Sequence, residues 1–296
     1  MNHLIEELPH ILLHSLLDTL KIVPFLFLSY LLMEYLEHRA DGRLESTLRR
    51  SGRIGPLVGA ALGVLPQCGF SAATVGLYTG RIVTTGTLIA VWLSTSDEML
   101  PILISEGAPL PFILKVLGFK LAVGILAGFA IDLLAALIRR KHHRAAPEPQ
   151  IEEFCEREHC RCEEHFLLSA LRHTAKITLF ILLLTLALNL VIHGVGEDKL
   201  AALVLDRPIL GNLLAATVGL IPNCASSVVL TELYLQSVIP IGAMLSGLLV
   251  NAGIGLALLF RNNRPVSDSL RILLLLWCIG AAMGILVDLT PIASLF

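Results

Sequence analysis

Gly63-Val64-Leu65-Pro66-Gln67-Cys68 and Gly219-Leu220-Ile221-Pro222-Asn223-Cys224 are two versions of one phrase, each set inside a long apolar run. Proline has no amide hydrogen and its ring clashes with the preceding turn, so each run is expected to break there. The break frees backbone carbonyls and opens a new helix N-terminus. Polar groups freed in apolar surroundings need a cavity. Gln67 and Asn223 bring amide dipoles to it, Cys68 and Cys224 polarisable sulfur, and Ser71 and Ser227 hydroxyls about one turn on. One such phrase would read as a kinked helix with its cysteine packed as a small hydrophobe. Two matched copies point to a site that both build.

The match extends outward. A shift of about 155 residues carries Leu77, Tyr78 and Gly86 onto Leu233, Tyr234 and Gly242, and Gly124, Gly128 and Asp132 onto Gly280, Gly284 and Asp288. Apolar drift does not produce matched Pro, Cys, Tyr and Asp, so the chain reads as an internal duplication. Segments 1–138 and 166–296 are the two repeats, joined by a linker over 139–165.

Composition says where the repeats reside. Of 296 residues 55% are hydrophobic and 16% charged, and the mean hydropathy is +0.77, more apolar surface than one soluble core of this size can bury. The stretches 11–36, 112–138, 166–192 and 270–289 are each long enough to cross a bilayer as helix, which takes about 20 residues. Regions 54–105 and 209–260 are apolar but broken by Gly, Pro, Ser, Thr and Asn. Each is expected to cross either once with a re-entrant hairpin or three times with short helices, for six or ten spans in all. Arginines and lysines crowd the loop after the first span, the linker and 261–271, which places those loops in the cytoplasm and both termini outside. The halves are then inserted in opposite senses. The expected fold is all-α: a polytopic integral membrane protein of two inverted-topology repeats with broken or re-entrant helices at its centre. Transporters use that plan, with a midplane site and alternating exposure. A net charge of −2 supplies no basic face for nucleic acid. The expected partners are the lipid bilayer and a small inorganic ion, with room for a homodimer.

Several groups could carry chemistry. Two thiols brought together across a pseudo-twofold axis suit a thiophilic solute such as trivalent arsenic or a late divalent metal. Asp97 and Glu98, adjacent acids in an apolar run, must line a cavity, bind a cation or reach an interface; Ser96 before them is a candidate N-cap. The second repeat has Asn251 at the equivalent place, so an acidic site would be asymmetric, and carboxylates favour harder cations such as manganese. Asp132 and Asp288 each follow a Gly-x-x-x-Gly pair that lets helices approach closely. They read as interface anchors or as proton-coupling acids. In the linker, Cys155, His159, Cys160, Cys162 and His165 are dense in metal ligands without the spacing of a standard finger, so a transition-metal ion could bind there; no other cofactor is expected.

The motifs Leu65-Pro66-Gln67-Cys68-Gly69-Phe70-Ser71, Gly76-Leu77-Tyr78, Thr84-Thr85-Gly86-Thr87-Leu88, Ser94-Thr95-Ser96-Asp97-Glu98 and Gly219-Leu220-Ile221-Pro222-Asn223-Cys224-Ala225-Ser226-Ser227 resemble those of the ten-spanning heavy-metal exporters. That family is often labelled arsenic efflux proteins and sometimes manganese transporters. The resemblance covers nearly the whole chain and implies an inner-membrane exporter of about ten spans, with three short crossings per broken region. The sequence has no Walker phosphate loop and no His-Glu-x-x-His or Gly-x-Ser-x-Gly motif, which leaves ion or proton coupling as the drive. A membrane metal sensor and a membrane-embedded thiol enzyme are the alternative classes.

Overall fold

The computed structural model describes residues 54–65, 68–96, 99–141, 208–223, 225–291, 293 and 296, together with scattered helical positions between 16 and 31 and between 171 and 186. The described residues are helical throughout their regular structure, and ten helices order as follows. In the first half are α1 (Gly55–Gly63), α2 (Cys68–Thr79), α3 (Thr85–Ser94), α4 (Met99–Ser105) and α5 (Leu110–Lys141). In the second are α6 (Pro208–Gly219), α7 (Ala225–Leu235), α8 (Ile241–Val250), α9 (Ile254–Asn262) and α10 (Val266–Leu289). The expected break at each Pro phrase falls between α1 and α2 and between α6 and α7.

Contacts along α3 fix how the first broken region is arranged. A Cβ placed on Gly59 would lie 3.1 Å from the side chains of both Thr87 and Val91, while Gly55 abuts Thr87 and Gly63 abuts Ser94. So α1 runs parallel to α3. Going back, Ser71 meets Thr95 (hydroxyl to hydroxyl, 3.3 Å) and Tyr78 meets Thr85 (3.4 Å), so α2 runs antiparallel to it. The two arms therefore form a hairpin that enters and leaves beside Thr85 and turns at the level of Thr95. The second half repeats this: the Ser246 hydroxyl donates to Asn212 O (2.9 Å), Gly219 abuts Gly247, and α7 returns to α8 through the short connection at 236–240.

Depth is read from the unbroken helices. Gly124, the fifteenth residue of the 29-residue span Leu110–Ile138, packs on Ala90 O and Ser94, so the first hairpin turns near the middle of α5. Arms of 9 and 12 residues extend about 13 and 18 Å at 1.5 Å per residue, against a hydrocarbon core of about 30 Å. Three full crossings per broken region do not fit that geometry. Each region instead makes a half-depth hairpin followed by one interrupted crossing. Four helices among the described residues, two of them interrupted, are long and apolar enough to cross.

The interrupted spans are inside and the unbroken ones outside. In α8–α9 89% of the apolar window is buried and in α3–α4 75%, against 17% in α5 and 33% in α10. Leu114, Leu126, Leu133, Leu270 and Leu274 face outward, as lipid-contacting positions should. Cys278 is exposed on α10, away from the centre. Leu88, Ile89 and Trp92 of one half and Leu249, Val250, Ile254 and Leu258 of the other share one core.

The mouths of the hairpins lie against opposite ends of the outer helices. Tyr78, at the first mouth, donates to Asp268 Oδ2 at 2.8 Å in the first turn of α10. Tyr234, at the second mouth, stacks on Phe112 in the first turn of α5, with ring centroids 5.6 Å apart. The same places are joined by unlike chemistry, so Tyr78→Phe is expected to destabilise the protein by about 1.5–3 kcal/mol, the range for hydrogen bonds to charged groups, and Tyr234→Phe by almost nothing. Thermal melts of the two variants in one detergent check the difference.

Candidate functional site

Both hairpins turn where both interrupted helices break, so four helix C-termini and four N-termini meet at mid-depth. Backbone groups freed there cannot turn to water and must find internal partners. At the end of α3 short hydroxyls fold back onto the carbonyls of the last turns. Ser94 Oγ donates to Ala90 O (2.8 Å) and Val91 O (3.0 Å), and Thr95 Oγ1 to Val91 O (2.9 Å). Ser96, expected as an N-cap, donates its hydroxyl to Val64 O at 2.6 Å and so ties the hairpin turn to the break in the neighbouring span.

The second half contributes Asn223, Ser226, Ser227 and Asn251, all buried. Ser226 Oγ donates to Asn223 O at 2.9 Å, closing the turn after Pro222. Asn251 Oδ1 accepts from Gly253 N (3.0 Å), while its Nδ2 is a buried donor with no hydrogen-bond partner, a group that costs about 1–3 kcal/mol unless something accepts from it. Gly253 has φ +51°, a backbone that glycine adopts without penalty. The halves touch at this level: a Cβ on Gly255, in the first turn of α9, would be 3.0 Å from Ser71 O at the start of α2. In the same reciprocal way α7 of the second half packs on α4 of the first.

Of the residues singled out by sequence, Ser71, Ser227, Asn223 and Asn251 are buried and Pro222 is half-buried in this polar centre. Cys68 opens α2, with only its backbone described. Pro66, Gln67, Asp97, Glu98 and Cys224 lie outside the described residues, as do Cys155, His159, Cys160, Cys162 and His165 of the linker.

Asp132 and Asp288 are not at the centre but at the two mouths, each as the cap of an interrupted helix. Asp132 Oδ1 accepts from Gly86 N (3.0 Å) and Oδ2 from Thr84 Oγ1 (2.6 Å). Asp288 Oδ1 accepts from Gly242 N (2.8 Å) and Oδ2 from Asn212 Nδ2 (2.7 Å). A carboxylate at a helix N-terminus satisfies an orphan amide and complements the helix dipole. The second donor differs because Thr84 is itself the N-cap of α3, whereas Pro240 at the start of α8 has no side-chain donor.

Sequence reading missed Lys120. It lies one turn before Gly124 on α5, is 1% exposed, and donates from Nζ to Leu248 O at 2.6 Å. A cation within an apolar run is the signal that could have found it.

A family model described as "Putative, 10TM heavy-metal exporter" matches residues 7–164 and 148–259. No curated protein and no solved structure matches the chain.

Proposed function

The chain belongs to the family of 10TM heavy-metal exporters, a family of membrane transporters and not an enzyme class, and from that premise we propose that it exports a heavy-metal or metalloid ion, arsenite-like or a divalent cation such as manganese, by alternating access. The observation that carries the reading is the meeting of both hairpin turns and both helix breaks at one polar level, where Gly255 abuts Ser71. In this proposal 1–138 and 166–296 are inverted repeats. The support is that the α5 first turn touches the second hairpin mouth through Phe112 and Tyr234, while Asp132 near its other end holds the first.

Cargo contacts are proposed at Pro66, Gln67, Cys68, Ser71, Pro222, Asn223, Cys224, Ser227 and Asn251, with Asp97 and Glu98 on the first half only. Thiols suit a soft solute and carboxylates a harder cation. Asp132 and Asp288 are proposed to couple the cycle to protons in addition to capping helices. Metal capture by Cys155, His159, Cys160, Cys162 and His165 in the linker 139–165, which would face the cytoplasm of an inner-membrane protein with both termini outside, completes the reading.

Efflux from vesicles loaded with arsenite, zinc or manganese tests it. Cys68→Ala combined with Cys224→Ala is expected to lower arsenite efflux at least tenfold, and Asp97→Asn to do the same for manganese. Unchanged arsenite efflux in the double variant would remove the thiols from the site, and a wild type that moves none of the three ions would end the export reading.

A further inference from the structure

Leu248 lies in the last turn of α8, which ends at Val250. Had the helix continued, its carbonyl would accept from the amide four residues on. The Asn251 amide makes the last ordinary helical bond, to Gly247 O, and the chain then leaves the helix at Asn251, with ψ +98°. The Leu248 carbonyl is thereby released at mid-depth, at the negative end of the α8 dipole, and Lys120 Nζ reaches it from the other half of the molecule at 2.6 Å. Carbonyls released at the C-terminal ends of broken membrane helices are where transporters of this architecture hold small cations.

The other half meets the same need without charge. The repeat shift that carries Gly124 onto Gly280 carries Lys120 onto Leu276, which is fully buried, and Leu248 onto Trp92. There the Ser94 and Thr95 hydroxyls go to Ala90 O and Val91 O, and Trp92 O accepts from the Thr95 amide at 3.4 Å. Capping a broken helix at this depth therefore does not call for a lysine. A full charge is costly in a membrane interior, and the first half closes its break without one.

We propose that Lys120 is a tethered cation occupying a monovalent-cation site at the broken end of α8, so that the second half carries its ion permanently and needs none from solution. The geometry stands whether or not the chain exports metal; the consequence for transport rests on the export reading. Lys120 acts as a positioning residue: it fixes the α8 end and the Asn251 turn that follows, from the outer helix α5 of the opposite half.

The test removes the tethered amine and offers a free one. Purified Lys120→Ala in detergent is expected to be stabilised by ethylammonium, or by sodium or potassium, by a few degrees in its melting temperature, as binding to the folded state requires. Wild type and Lys120→Arg should not move. A folded Lys120→Ala that no cation of that set stabilises, or a wild type stabilised equally, overturns the proposal. Should the alanine variant not fold, Lys120→Gln decides, since its amide donates without charge. Efflux at least tenfold below wild type is expected of it, and efflux equal to wild type overturns the charge requirement. The melting measurement needs no cargo, so an inactive wild type would end the export reading and leave this one standing.

Discussion

Valine at Gly86 or at Gly242 is expected to leave no folded protein in a detergent extract, while valine at Gly118 is tolerated. A Cβ on Gly86 would run into Gly128 O and the Asp132 carboxylate, and one on Gly242 into Gly284 O and the Asp288 carboxylate. The Gly128 and Gly284 oxygens are helix backbone, and a carbonyl cannot rotate aside as a side chain can. The cost should pass the ~1–3 kcal/mol of ordinary overpacking, because α3 would have to lift off α5, or α8 off α10, along the whole contact. Gly118, on the same helix as Gly128, has nothing within 4 Å of the position a Cβ would take. Size-exclusion profiles of the three variants check this, and a Gly86→Val profile no worse than that of Gly118→Val would mean that α3 and α5 do not pack as described.

Alanine at Asp132 or Asp288 removes two acceptors at once and leaves the Gly86 or Gly242 amide without its partner. A loss of about 2–3 kcal/mol is expected at each, the cost of orphaning a buried donor whose partner was charged. Asparagine separates capping from coupling. Its Oδ1 can still accept from the glycine amide, so most stability should return, yet it cannot carry a proton. In proteoliposomes, Asp132→Asn and Asp288→Asn are expected to retain exchange of cargo at equal pH and to lose the stimulation that a pH gradient gives wild type. Persistence of that stimulation in both would leave the two acids as helix caps alone.

The duplicated Pro phrase, the matched Gly-x-x-x-Gly-x-x-x-Asp sets and the long apolar runs were enough to read an all-helical membrane protein of two related halves, because each reflects a local rule: proline breaks helices, small residues admit close neighbours, and about 20 apolar residues cross. The choice between a hairpin and three crossings was not local. It depends on which way α1 and α2 run beside α3, and that is set by contacts such as Gly59 with Val91 and Ser71 with Thr95, between residues 24 to 32 apart that no periodicity links. The role of Asp132 likewise needed a partner 46 residues away. Lys120 escaped because it breaks the repeat: its counterpart is Leu276, and a search guided by symmetry passes over what only one half possesses. Ser96 was read for what it could do to its own helix, and its hydroxyl serves the neighbouring hairpin.

The arms α1 and α2 are too short to be threaded through a bilayer on their own account, and the same holds for α6 and α7. During biosynthesis the long helices must therefore be seated first, and the hairpins drawn in afterwards against surfaces that α3 and α5, or α8 and α10, have already assembled. Quality control would meet each newly made copy at that stage with its arms still accessible to proteases, so lesions in the glycine seams should shorten the lifetime of the protein in the cell before they are ever felt as a defect in flux.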